Sequence, residues 1–106
     1  MIPYGKHNID QDDIDAVINV LKSDWLTQGP KVPQFEKLVS EYCGASHSIA
    51  VNSATSALHV ACMAMGVGTG DIIWTSSISF VASANCARYC NADIDFIDIN
   101  PSTYNI

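Results

Sequence analysis

Apolar positions along the chain follow two different spacings, and the change from one to the other divides it. Ile14, Val17, Ile18 and Leu21 fall at i, i+3, i+4 and i+7, and Phe35, Leu38, Val39 and Tyr42 repeat that interval. Each set marks one face of a helix. Asp10 stands where the first helix needs an N-cap, with Ile9 and Ile14 placed to pack across the first turn, while Asp12, Asp13, Asp15 and Asn19 face water or the helix dipole. Gly44 stops the second helix. Residues 23–33 break every period and contain two prolines and a glycine, so they read as a loop. From Ile49 onward the pattern shortens. Ile49–Val51, Ile72–Trp74 and Asp93–Ile99 read as strands, Ala54–Met65 and Phe80–Tyr89 as helices, and Asn100–Tyr104 as a turn. Alternating strands and helices predict an α/β sheet, in which ligands gather where strands end and helices begin.

The turn between Val51 and the helix at Ala54 is the first candidate site. Asn52, Ser53, Thr55 and Ser56 surround a helix start, whose first amides lack intrahelical partners and carry partial positive charge. Small hydroxyl residues let an anion approach that backbone, and phosphate is the expected guest. The alternative is that Asn52 or Ser53 merely caps the helix. In the proline loop, Trp25 either covers the core or joins Asp24, Thr27 and Gln28 in a stacking and hydrogen-bonding surface. Phe80 either packs ordinarily or faces a ligand at the same sheet edge. The run from Gly66 to Asp71 leaves a helix and enters a strand, the wrong order for a dinucleotide fingerprint.

Composition narrows the classes further. At 106 residues and 48% apolar the chain has enough apolar material for one domain with a core. Eleven acids against five bases, a net charge of −6, disfavour nucleic acid and anionic membrane as partners. No apolar run approaches the roughly 20 residues of a membrane helix, and the start lacks a secretion signal, so a cytoplasmic location is expected. Cys43, Cys62, Cys86 and Cys90 form no C-x-x-C pair and read as reduced core residues. No spacing suits a metal, and His7, His47 and His59 stand in unrelated contexts that suit structural roles. Lys6, Lys22, Lys31 and Lys37 lie outside any plausible desolvated pocket. These residues look like half of a site.

The stretches Asp24-Trp25-Leu26-Thr27-Gln28-Gly29-Pro30, Phe35-Glu36, Asn52-Ser53-Ala54-Thr55-Ser56-Ala57-Leu58, Gly70-Asp71 and Ser79-Phe80-Val81-Ala82 closely resemble the beginning of the DegT/DnrJ/EryC1/StrS sugar aminotransferases. The resemblance implies the large domain of a pyridoxal-phosphate enzyme of aspartate-aminotransferase-like fold type I. Residues 1–106 would be its N-terminal portion, with a helix and substrate loop in 1–33 and the start of the α/β sheet in 34–106. It implies that Ala54, Thr55 and Ser56 hold the cofactor phosphate and that Phe80 lies on the pyridine ring. Tyr4, Asp24, Trp25, Leu26 and Thr27 would line a sugar-nucleotide pocket, with Ala54 at the junction of sugar and cofactor. Many members carry glycine where Ala54 stands, so the phosphate role survives here only if the turn needs no positive φ.

Within the family the motifs are most similar to members that aminate C4 of a UDP-linked 4-keto-6-deoxy-N-acetylhexosamine in pseudaminic acid biosynthesis, with glutamate as the expected donor. The Schiff-base lysine would lie beyond Ile106, leaving this stretch without a catalytic residue of its own, and a homodimer is expected of the complete protein. Two other readings stand beside this one. Some relatives replace the lysine by histidine and dehydrate the sugar, and a small non-catalytic α/β phosphate-binding module would show the same turn.

Overall fold

A computed structural model describes residues 2, 3 and 5–106, which fall into two units, Met1–Ala50 and Val51–Ile106. The first unit is helical. Helix α1 spans Gln11–Leu21, and its start is closed on itself: an Asp10 carboxylate oxygen accepts the Asp13 amide at 3.1 Å, and an Asp13 carboxylate oxygen accepts the Asp10 amide at 3.2 Å. This reciprocal cap satisfies two amides that the helix cannot, and Asp12 and Asp13 compensate the dipole. Ile9, Ile14, Val17 and Ile18 line one apolar concavity along α1.

Helix α2 spans Lys31–Cys43 and begins inside the stretch that its prolines mark as loop. Pro30 is the cap and Pro33 lies in the first turn, where a missing N–H breaks no hydrogen bond. At the other end Gly44 adopts φ +66°, and the next amide, of Ala45, returns to the Ser40 carbonyl at 2.9 Å. A Cβ at Gly44 would meet no atom within 4 Å, so only backbone strain opposes a side chain there. Gly44→Ala is therefore expected to cost about 1 kcal/mol, read as a shifted denaturant midpoint with unchanged slope.

The second unit is a small α/β arrangement. Helix α3 spans Ala54–Ala64, strand β1 Ile72–Ser76, helix α4 Ala82–Tyr89 and strand β2 Asp93–Ile97. The two strands pair in parallel with Ile73 opposite Ile94 and Thr75 opposite Phe96. Parallel neighbours need a crossover, and α4 supplies it, packing on both strands and against α3. The buried apolar residues are Cys62, Ala82, Cys86, Ala87 and Ala92, all small, which lets α3 and α4 approach closely. His59 on α3 and Tyr89 on α4 add a tilted ring pair with centroids 5.2 Å apart. Burial, and then contact with Cys86, pushes the Cys62 thiol up to about 11, so it stays protonated at neutral pH.

Four expectations need correction. Ile49–Val51 is extended but is not a strand, because a strand exists only through a paired neighbour and none of the described residues pairs with it. Cys43 is exposed, unlike Cys62 and Cys86, because it ends α2 away from any packed face. Phe80 precedes α4 instead of lying in its first turn. Among the described residues large apolar side chains do not assemble a core: Leu38, Trp74 and Phe96 are all exposed, since only small residues meet where α3, α4 and the sheet pack.

Candidate functional site

Helix α3 starts very differently from α1. Ser53 is its N-cap in extended conformation, and its hydroxyl oxygen accepts the Ser56 amide at 3.2 Å. The Ser56 hydroxyl in turn donates to Asn52 Oδ1 at 2.6 Å and lies 3.1 Å from the Ser53 hydroxyl. Asn52, Ser53 and Ser56 thus form one network that holds the turn. With the Ala57 amide bonded to the Ser53 carbonyl and the Ser56 amide capped, the two foremost amides, of Ala54 and Thr55, have no acceptor among the described residues. No acid stands in the first turn of α3. The result is two parallel N–H donors at the positive end of a helix dipole, flanked by the Thr55 hydroxyl.

That donor set fits a phosphate monoester. It offers backbone hydrogen bonds without a carboxylate to repel the anion, and the side chain at position 54 is a single methyl group. Ala54 lies within α3 and is absent from the positive-φ positions, which among the described non-glycine residues are Gln28, Asn91 and Tyr104. Position 54 therefore takes an ordinary helical backbone that alanine adopts without strain. Ser56 differs from its neighbours, because its amide and its hydroxyl proton are both engaged in building the cap.

The second part of the unit lies where β1 runs into α4. Ser76, Ser77, Ser79, Phe80, Ser83 and Phe96 are among the residues that line a concavity of about 210 Å³. The Ser76 hydroxyl accepts the Ile78 amide at 3.1 Å, and the Ser79 and Ser83 hydroxyls lie 3.0 Å apart, which ties the turn down. Phe80 stays 74% exposed, with its ring free to face a ligand. Sequence reasoning singled out Phe80, with Ser79 beside it in the same motif, but did not bring in Phe96 or Ser83. Their signal was present as a cluster of hydroxyls at one strand end, and only the parallel register brings Phe96 beside it.

In the first unit, Asp24, Trp25, Leu26 and Thr27 occupy the connection from α1 to α2, while Tyr4 lies outside the described residues. Trp25 is 61% exposed, so it covers no core here and presents its indole to solvent. The Ser23 hydroxyl accepts the Trp25 amide at 3.3 Å and fixes the backbone beside it. Leu26 lines a larger apolar concavity, about 420 Å³, with Val17, Val20, Leu21 and Lys31. Apart from the Lys31 amine, it holds no group suited to binding an anion or transferring a proton. Among the described residues no helix is long and apolar enough to cross a membrane.

A UDP-4-amino-4,6-dideoxy-N-acetyl-beta-L-altrosamine transaminase of Campylobacter jejuni subsp. jejuni (serotype O:23/36, strain 81-176) is 48% identical over 99 residues, 93% of this chain and 26% of the relative. The spore coat polysaccharide biosynthesis protein SpsC of Bacillus subtilis (strain 168) is 43% identical over 105 residues, 99% of this chain and 27% of the relative. Among solved structures, Helicobacter pylori PseC, an aminotransferase involved in the biosynthesis of pseudoaminic acid, superposes with a TM-score of 0.85 at 36% identity, covering 92% of this chain and 27% of PseC. Spr1654 from Streptococcus pneumoniae in its PLP form gives 0.89 at 30% identity, covering 97% of this chain and 26% of Spr1654. The chain spans about a quarter of the length of the relatives it matches. Its fold is shared with fold type I, pyridoxal-phosphate-dependent sugar aminotransferases. Residues 7–106 match the model of that family, and the chain belongs to the DegT/DnrJ/EryC1/StrS aminotransferase family.

Proposed function

We propose that these residues are the N-terminal portion of the large domain of a homodimeric, cytoplasmic, pyridoxal-phosphate-dependent aminotransferase acting on a nucleotide sugar. The reaction is amination at C4 of a UDP-linked 4-keto-6-deoxy-N-acetylhexosamine, with glutamate as donor. The observation that carries this reading is the start of α3, where the Ala54 and Thr55 amides have no acceptor among the described residues and no acid stands in the first turn. Similarity to the altrosamine transaminase supports the choice of sugar. Pyridoxal phosphate, when bound, supplies the electron sink that amino transfer needs.

Each residue then has a definite task. Ala54 and Thr55 bind the phosphate through their amides, Thr55 adds its hydroxyl, and Ser56 holds the turn in shape as the partner of Asn52. Phe80 covers one face of the pyridine ring and excludes water from it. Tyr4, Asp24, Trp25, Leu26 and Thr27 line the sugar-nucleotide site, with Trp25 offering a stacking face, and Ala54 leaves room for the sugar. The group that moves the proton is a lysine beyond Ile106.

The test uses the whole protein with pyridoxal phosphate, glutamate and the UDP-4-keto sugar. Formation of the 4-amino sugar with one equivalent of 2-oxoglutarate is expected by mass spectrometry. A dehydrated sugar without 2-oxoglutarate would place the protein with the histidine-bearing relatives, and a protein that takes up no cofactor would remove the reading altogether.

Gly29 provides a check on the substrate loop. A Cβ there would lie 2.7 Å from Trp25 Cβ, too close to be accommodated without moving the backbone. Gly29→Ala is expected to raise KM for the sugar nucleotide several-fold by displacing Trp25, with cofactor affinity unchanged. Steady-state kinetics together with a cofactor titration separates the two effects.

A further inference from the structure

The geometry points to Glu36 as a positioning residue for the anion-binding turn. Its carboxylate oxygen Oε1 accepts the Ala50 amide at 2.8 Å, and the Ser48 hydroxyl donates to the Glu36 carbonyl. These two contacts span 14 and 12 residues, whereas the other side-chain hydrogen bonds among the described residues join positions no more than four apart. Glu36, Ser48 and Ala50 are each half-buried. The contacts therefore form a clamp from the middle of α2 onto an extended segment that has no strand partner among the described residues.

The clamp matters because the anion-binding turn begins almost at once after Ala50. Residues 51–53 are all that separate Ala50 from Ala54, and each step of the chain is about 3.8 Å, so freedom gained at Ala50 passes directly into the turn. An amide left without its acceptor would also exchange its bond for water and let the segment sample other conformations. A phosphate binds only when the Ala54 and Thr55 amides point together out of the helix start. The apparent affinity falls in proportion to the fraction of molecules in that state. Glu36 touches neither cofactor nor substrate in this account and acts only through the backbone it holds. The inference rests on the proposed cofactor site.

The experiment measures the pyridoxal-phosphate Kd of the whole protein by absorbance titration, beside the melting temperature of the cofactor-free form. Glu36→Ala is expected to raise Kd roughly tenfold, about 1.4 kcal/mol. Glu36→Gln keeps an acceptor oxygen and is expected to stay within about threefold of wild type. A Glu36→Ala protein that melts lower but keeps the wild-type Kd would overturn the inference, as would a Glu36→Gln protein no better than Glu36→Ala. If Glu36→Ala does not fold, Ser48→Ala removes the other arm of the clamp and is expected to raise Kd about threefold, and an unchanged value overturns the proposal. A wild-type protein that binds no pyridoxal phosphate refutes the cofactor site itself, which distinguishes that failure from failure of the clamp.

Discussion

Thr55→Asp in the whole protein is expected to abolish retention of pyridoxal phosphate while leaving the cofactor-free protein at least as stable as before. The two halves of this result have one electrostatic cause with opposite signs. A carboxylate in the first turn of α3 compensates a dipole that no acid compensates now, which stabilises the helix by about 0.3 to 1 kcal/mol. The same carboxylate stands where the phosphate must bind. Like charges about 4 Å apart repel by about 4 kcal/mol at an effective dielectric constant near 20, enough for a loss of at least a hundredfold. Thr55→Val, which removes only the hydroxyl, is expected to weaken binding by about tenfold or less. Equilibrium dialysis gives the affinity and a thermal melt of the apo protein gives the stability. A Thr55→Asp protein that still carries its cofactor would mean that the anion binds elsewhere.

Phe80→Ala is expected to weaken cofactor binding by about 1 to 3 kcal/mol, or roughly fivefold to 150-fold, with little change in apo stability. The separation is informative because a core aromatic behaves in the opposite way. Removing one costs about 3 to 5 kcal/mol of folding free energy, whereas Phe80 is 74% exposed within residues 1–106 and lines a concavity there. Its contribution appears only when a ring lies against it. Phe80→Leu should recover part of the affinity through apolar contact and leave the cofactor absorbance band shifted from that of wild type. An equal loss of stability in the apo and cofactor-bound forms would return Phe80 to ordinary packing.

Thr55 was singled out by residue types around a helix start and Phe80 was given its role by the family resemblance, while the details came from elsewhere. The cap of α1 was legible at Asp10, with Ile9 and Ile14 flanking the first turn, whereas Asp13, read as facing water or the dipole, accepts the Asp10 amide. The strands β1 and β2 were legible as β-rich segments flanking a helix, though their pairing with each other was not. The start of α2 was misread, since prolines look like loop residues until their place in a first turn is known. Ile49–Val51 was misread for a different reason. Its composition reports a preference for extended backbone, but pairing requires another strand, and composition carries no information about one.

The site divides along the same line. That Asn52, Ser53, Thr55 and Ser56 would surround a helix start, that Ala54 needs an ordinary backbone, and that the chain lies within one aminotransferase family were all contained in the order of residues. Helix caps and turns are short-range, so neighbours in sequence settle them. Which amides stay open, and which hydroxyls are already engaged with one another, depended on hydrogen-bond geometry. The union of Phe80 with Phe96 through the parallel register and the clamp of Glu36 on Ala50 depended on contacts between residues distant along the chain. Such contacts are chosen by packing and by the need to satisfy every buried amide, and those forces act only once the backbone has its tertiary course.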